Sequence, residues 1–422
     1  MAEAALGQRE VMRTADGTPL KVSIARAMRR NRLVALGLIA PLFLFILFSF
    51  LIPIVDMSLR SIDNSVVPNN LPRTIAALDD WDGEGLPPES AFAALAEDIK
   101  VGRDNREIGK VATRLNYEIS GMRGTVMGTS RRVDQIIESG NFQEGLIDAN
   151  KSWGETDTWR LLKRLGSPYT FGYYLNALDL RFDPQGNVEA QPEFRRIYVD
   201  LFVRTLWMSL LITGLTILLG YPIAHLMATL PLRYSNLLMI LVLLPFWTSL
   251  LVRTTAWIVM LQSEGVVNSI LVWAGLIANN ARPELMHNKV GTIVAMTHIL
   301  LPFMVLPLYS VMKTIPPSYM RAARSLGANQ FTAFVQIYMP QTVAGIGAGS
   351  ILVFILAIGY YITPALVGGT SGTLISNQIA YHMQSSLNWG LAAALGAILL
   401  GLVIALYFLY NRLVGVDKMK LG

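Results

Sequence analysis

No cysteine occurs anywhere in the 422-residue chain. That excludes disulfides, thiol catalysis and thiolate-bound zinc or iron–sulfur clusters, and it leaves the compartment open. Charge is scarce as well: Asp, Glu, Lys and Arg make up 15% of the residues, against about a quarter in an ordinary soluble domain. His225, His287, His298 and His382 are scattered without metal-site spacing. No G-x-x-x-x-G-K-[ST] run is present, so no phosphate-cradling loop is visible, and the glycine-rich GGTSGT at Gly368–Thr373 lacks the lysine. Neither H-E-x-x-H nor G-x-S-x-G appears. The apolar segments lack the acid–base pairs that mark an ion or proton path through a bilayer. The charges nearest their interiors are Arg204 and Arg253. Both lie toward the outer ends of their segments, where snorkelling to headgroups makes anchoring the structural reading. The chain therefore reads as holding no catalytic residue, no metal and no cofactor of its own.

What is abundant is apolar sequence, 53% of the residues. Crossing a bilayer takes about 20 predominantly apolar residues. Six runs meet that length, near Leu33–Val55, Val203–Leu230, Asn236–Leu261, Val290–Met312, Val343–Val367 and Trp389–Tyr410. The first is longer than a signal-peptide core and reads as an uncleaved span. The formal net charge of +6 does not point to nucleic acid, because the basic excess sits in short flanks of these runs. Arg26, Arg29, Arg30 and Arg32 precede the first run, and Arg233 separates the second from the third. Lys313, Arg321 and Arg324 separate the fourth from the fifth, and Arg412, Lys418 and Lys420 follow the last. With six spans these segments share one side, which the positive-inside rule assigns to the cytoplasm. The expected organisation is an all-α, multi-pass membrane protein. It has a cytoplasmic tail over 1–32, a first span over 33–55 and an outer insert over 56–202. Spans two to six follow over 203–411, with a cytoplasmic loop at 313–341 and a cytoplasmic tail over 412–422.

The insert is far longer than a loop and is large enough to fold by itself. Pro87–Ser90 precedes the apolar-patterned AFAALAEDIK and reads as a helix start. Ile108, Val111, Leu115 and Ile119 are spaced for one helical face. Gly121, Gly124 and Gly128 then interrupt, and WRLLKRLG at Trp159–Gly166 reads as another short helix ending at glycine. A small, mostly helical domain is expected, either with a task of its own at the outer face or as an ornament.

The loop between the fourth and fifth runs, SYMRAARSLGANQFTAFVQIYMPQ from Ser318 to Gln341, looks soluble between two apolar segments. Ile315–Pro316–Pro317 ends the preceding span, and proline suits the first turn of a new helix. That helix would run to about Leu326. Gly327 follows where a left-handed C-terminal cap is wanted, and Asn329 is a good N-cap for a second helix. There Phe331, Phe334, Val335 and Tyr338 form one apolar face, and Pro340 stops the helix. Ala322 and Ala323 allow another surface to approach closely. Such an element suits a lever docking into another protein's groove, and equally an interfacial helix lying on lipid.

This stretch resembles the cytoplasmic "EAA" loop of the permease subunits of type I ATP-binding-cassette importers. The matching positions are Ala322, Ala323, Leu326, Gly327, Ala328, Phe334, Ile337, Pro340, Gly345 and Ile346. Two departures are Arg321, where the family usually has glutamate, and Ala344, where proline often precedes Gly-Ile. LGYPIAHLMA (Leu219–Ala228), LPFWTSLLVRTTAW (Leu244–Trp257) and YYITPALVGG (Tyr360–Gly369) are similar to segments of the spermidine/putrescine-type branch. The resemblance runs from about Tyr198 to the C-terminus and includes the first span. The insert is not covered.

The resemblance implies the six-helix permease fold of these importers in a bacterial inner membrane, both termini cytoplasmic. It implies a second permease subunit in a heterodimer, a periplasmic solute-binding protein, and an ATPase dimer that holds ATP and Mg in place of this chain. Arg321, Ala322, Ala323, Leu326, Gly327, Ala328, Phe331, Phe334 and Pro340 would couple this chain to that ATPase. Trp257, Asn268, Tyr360, Tyr361 and Pro364 would line the path, their alternative being an aromatic belt and helix kinks. The implied solute is a polyamine or related amino compound. Two competing classes are a membrane sensor whose outer domain is the insert and a secondary carrier.

Overall fold

The computed structural model describes the backbone of residues 20–414 and the side chains of residues 28–412. Lys418, Lys420 and the side chain of Arg26 lie outside the described residues. The chain divides into two compact units, Met1–Leu59 and Arg60–Gly422. The first holds the helix Leu20–Ile46, a π-helical turn at Leu47–Leu51 and the start of Ile52–Arg60. The helical stretch outruns the apolar run Leu33–Val55 because its flanks are rich in Ala, Arg, Leu and Met, which propagate a helix without apolar burial.

Five helices among the described residues are long and apolar enough to cross a membrane; a sixth span results if Gln330–Gln341 and Val343–Gly359, bent by 58°, count as one. The second span starts at Tyr198, five residues before the expected Val203, and runs to Thr229. The third run differs most from expectation. Leu232–Leu243 and the 3₁₀ turn Leu244–Trp247 end at Thr248, and a new helix covers Leu250–Leu261. Pro245 removes a donor, and Ser249 caps the new helix, its Oγ accepting the Val252 N–H at 3.2 Å; together they break what periodicity joins.

The bundle core gathers Met208 and Ile212 of the second span, Met296, Leu300, Met304, Val305 and Leu308 of the fourth, and Val353 and Ala357 of the fifth. Glycine lets the last two close up. A Cβ on Gly345 would stand 3.1 Å from Leu308 Cα, and one on Gly349 2.6 Å from Met304 Sδ. Where lipid competes equally for apolar surface, such close backbone approach holds helices together.

The insert is a closed helical body. Its ends meet where Asn64 donates its N–H to Pro168 O at 2.9 Å and Thr170 donates to Ile62 O at 2.8 Å. Between them lies one apolar core including Val67, Leu78, Phe92, Leu95, Leu115, Val133, Leu146, Trp153, Trp159 and Leu162. AFAALAEDIK falls in the helix Glu89–Asp104, and WRLLKRLG supplies Thr156–Arg164 with Gly166 just beyond. Ile108, Val111 and Leu115 are buried on Ile108–Glu118 as spaced. Ile119 departs: it takes an extended conformation as that helix ends. Of the three glycines only Gly121 interrupts, at φ +96°, while Gly124 and Gly128 lie inside the helix Met122–Ser139; single glycines cost a helix only about 1 kcal/mol each, which packing overrides. The all-α expectation needs one exception, a hairpin pairing Leu180–Phe182 with Val188–Ala190.

Candidate functional site

The loop after the fourth span folds as its turn chemistry dictates. The helix Pro317–Ser325 carries proline in its first turn, where the missing N–H costs nothing. It ends in a Schellman motif: Ala328 donates its N–H to Ala323 O at 3.1 Å, and Gly327 to Arg324 O at 3.0 Å. Gly327 sits at φ +93°, the left-handed conformation this cap requires. Asn329 Oδ1 then accepts the Thr332 N–H at 2.7 Å and caps the second helix. That helix is Gln330–Ala333, a π-helical turn Phe334–Tyr338 and the short turn Met339–Gln341. Pro340 does not stop it. The proline lies within the last turn, and the chain bends only at Thr342 before Val343–Gly359.

The expected single apolar face is divided by the π turn. Phe334 and Tyr338 turn inward against the second span. The rings of His225 and Tyr338 lie 5.0 Å apart, those of His225 and Phe334 5.3 Å, and those of Tyr221 and Phe334 6.2 Å. Tyr221 OH and Thr342 Oγ1 lie 3.2 Å apart. Phe331 stays 76% exposed and Leu326 89%. Arg321, Ala322, Arg324 and Pro340 are exposed, with Ala323 and Ala328 half-buried. From Lys313 to Gln341 the loop contains no acid. Arg321 has no ion pair within 4.0 Å among the described residues. A groove of about 790 Å³ separates the loop from the span ends, lined among others by His225, Met312, Pro316, Met320, Phe331 and Phe334. The outcome is a capped helical element with an exposed basic and apolar face outward and an aromatic root inward.

Sequence reasoning passed over Tyr221 and His225. Their i, i+4 spacing places both on one face of the second span, but nothing local showed that the loop would pack there.

Trp257 lies on Leu250–Leu261 and Pro364 on Ile362–Val367, which pack on each other and on the fourth span; Tyr360 and Tyr361 form the break between Val343–Gly359 and Ile362–Val367. Trp257 donates its Nε1–H to His298 Nδ1 at 3.2 Å, and Thr254 and Thr363 hydroxyls lie 3.2 Å apart. Tyr360 is half-buried, Tyr361 exposed and Pro364 buried. Asn268 does not join them. It is fully buried, and its Nδ2 donates to Gln262 O, Ser263 O and Pro283 O at 3.4, 3.1 and 3.0 Å, which makes it a fastener of its own loop. Arg204 bridges Asp200 at 2.6 Å and donates to Thr370 O at 3.0 Å, consistent with anchoring. The glycines of GGTSGT serve packing: a Cβ on Gly372 would stand 2.5 Å from Thr292 Oγ1. No His/Asp/Glu cluster suited to a metal occurs among the described residues.

Comparison with known proteins bears on this arrangement. Residues 206–415 match the family described as "Binding-protein-dependent transport system inner membrane component". The chain is similar to the spermidine/putrescine transport system permease protein PotB of Haemophilus influenzae, 34% identical over 227 residues that cover 52% of this chain and 79% of that one. It is similar to PotB of Escherichia coli, 35% identical over 220 residues that cover 51% and 79%. Among solved structures it is similar to a chain of a bacterial ABC transporter that imports the acidic polysaccharide alginate, at 19% identity and a TM-score of 0.42, covering 52% of this chain and 80% of that one. The matched region begins after the insert and holds the 313–341 loop, its aromatic root and the packed spans. The chain belongs to the family of binding-protein-dependent transport system inner membrane components, and is a multi-pass membrane permease subunit.

Proposed function

We propose that this permease serves an ATP-driven importer of polyamines or related amino compounds, in a bacterial inner membrane with both termini and the 313–341 lever in the cytoplasm. The observation that carries the solute class is the identity of 35% with a spermidine/putrescine permease over 220 residues. The basic flanks Arg29, Arg30, Arg32, Arg233, Arg321, Arg324 and Arg412 support the orientation. ATP and Mg belong to a separate ATPase dimer, a second permease completes a heterodimer, and a periplasmic binding protein delivers the solute.

The lever's geometry supplies the coupling. Leu326 and Phe331 offer apolar side chains to the ATPase, and Arg321 and Arg324 ask its groove for carboxylates. A movement of that groove passes through the capped Gly327 turn to Phe334 and Tyr338. Because these pack on Tyr221 and His225, and because Thr342 opens the fifth span, the second and fifth spans receive the displacement together. Nucleotide thus biases a two-state bundle through one rigid element.

Deletion of this chain from its host should lower uptake of labelled putrescine and spermidine, and wild-type chain should restore it. Uptake unchanged by the deletion rejects the solute class. The double variant Leu326→Arg, Phe331→Arg should reach the membrane yet fail to co-purify an ATPase. Undiminished co-purification rejects docking through this face.

A further inference from the structure

The longest uncharged stretch of the insert lies between Arg164 and Asp179. There the sequence LGSPYTFGYYLNAL carries no ionisable acid or base other than tyrosine, although the helices before it are densely charged. In the structure this stretch is not on the insert's far surface. The helix Gly172–Ala177 packs among span ends: Tyr173 and Ala177 share a core with Leu201 and Phe202 of the second span and with Leu391, Ala394 and Leu395 of the sixth. Contact is close enough that a Cβ on Gly390 would stand 2.4 Å from the Tyr173 ring. Tyr174 OH accepts from Ser61 Oγ at 2.8 Å, and Ser61 immediately follows the helix that ends at Arg60.

Depth follows from these neighbours. The sixth span starts at Trp389, and Leu395 lies about 9 Å further along at 1.5 Å per residue. A helix packed against Leu391–Leu395 therefore sits level with the outer end of the apolar span, where headgroups meet acyl chains. At that level the stretch exposes rings instead of charges. Tyr169 is 69% exposed, Phe171 70% and Leu178 45%, and Val203 and Trp389 are exposed on the two span ends whose Phe202 and Leu391 share the core with Tyr173. Tyrosine, tryptophan and phenylalanine at this depth are what an interface belt uses, an apolar body in the acyl region with polar tips in water.

We propose that Pro168–Leu178, although part of the insert by sequence, is a membrane-interface anchor, with Tyr169, Phe171 and Leu178 against the lipid of the outer leaflet. It fixes the insert to the bilayer and to two span ends at once. The occupant is lipid because the exposed rings belong to the stretch whose Tyr173 and Ala177 are seated on the apolar ends of two spans.

The absence of cysteine makes the test clean. Single variants Tyr169→Cys, Phe171→Cys, Trp207→Cys and Glu138→Cys, each in the full chain in lipid nanodiscs, are spin-labelled and probed with oxygen, which partitions into lipid, and with a water-soluble nickel chelate. Trp207 is exposed on the second span and Glu138 on the insert, so they set the lipid and water references. Labels at 169 and 171 should collide more with oxygen than with chelate, as at 207. The proposal is overturned if they follow 138. It is also overturned if neither reagent reaches them, since protein then covers the patch.

Discussion

The carboxylate of Asp179 accepts the backbone N–H of Tyr198 at 3.0 Å, and those of Ile197 and Val199 at 3.0 and 2.8 Å. One buried side chain thus satisfies three of the donors that the start of the second span leaves without intrahelical partners, and places negative charge at the positive end of the helix. Asp179 itself stands at φ +59°, a conformation that aspartate and asparagine tolerate better than most residues. Asp179→Ala should destabilise the detergent-solubilised protein by about 2–3 kcal/mol, the range for charge-assisted hydrogen bonds left unmade. Asp179→Asn should recover part of that. Thermal unfolding of both variants checks the order; equal losses would reduce the charge to a bystander.

Arg114 centres the insert's polar seam. Its guanidinium donates to Asn64 Oδ1 and Glu118 Oε1, both at 2.9 Å, and lies 4.9 Å from the Tyr173 ring. Glu118 also takes Arg164 at 3.0 Å. Removing one member of a buried charge network costs about 3–5 kcal/mol, so Arg114→Ala should unfold the insert at markedly lower temperature. Proteolysis should then cut within 62–170 while the spans stay protected. An insert as resistant as wild type would mean the seam contributes little.

His382 joins the same outer region, its Nε2 2.8 Å from Tyr198 OH and its Nδ1 2.8 Å from Ser386 Oγ. Burial pushes its pKa down from 6.5 to about 4. A base with a lowered folded pKa leaves stability intact above pH 6.5 and loses it as pH falls from 6.5 toward about 4, because only the unfolded chain takes the proton. The loss over that window is at most about 3 kcal/mol. Melting curves at pH 7 and pH 5 should separate in wild type and converge in His382→Gln. An undiminished acid shift in that variant would point to another group.

Gly327 meets open space: a Cβ at this position would have no neighbouring atom within 4 Å, and only the φ of +93° resists a side chain. The cost of Gly327→Val is therefore backbone strain of about 1–2 kcal/mol, concentrated at the lever's hinge. Membrane levels should be near normal while uptake falls severalfold, and Gly327→Asn should fall between wild type and valine. Full uptake by the valine variant would remove the hinge from the coupling route.

Tyr117 donates its hydroxyl to Ser386 O at 3.0 Å and ties the insert to the turn before the sixth span. Tyr117→Phe should cost about 1 kcal/mol and speed hydrogen exchange at residues 385–388. Exchange at the wild-type rate there would show the tie to be dispensable.

Sequence alone determined the membrane class, the approximate positions of the first, second, fourth and sixth spans, and the turn chemistry of the 313–341 loop. Each rests on a local cause: apolar length, proline at a helix start, glycine at a left-handed cap, asparagine at an N-cap. The fifth run, expected to reach Val367, ends as a helix at Gly359. The third run escaped because Pro245 and Ser249 break a helix that average hydropathy joins. The lever's divided face escaped because a π turn shifts Tyr338 inward, a choice made by the rings of Tyr221 and His225, more than a hundred residues earlier in sequence. Asn268 reads as a polar residue facing a path until three loop carbonyls close around it. The insert shows the same boundary between local and distant causes. Its helices are legible from spacing, whereas the seating of Tyr173 against Gly390 is not, since it depends on two span ends that only the folded bundle brings together. Local free energies choose helices and caps; which faces meet is decided by burial shared between residues far apart in the chain.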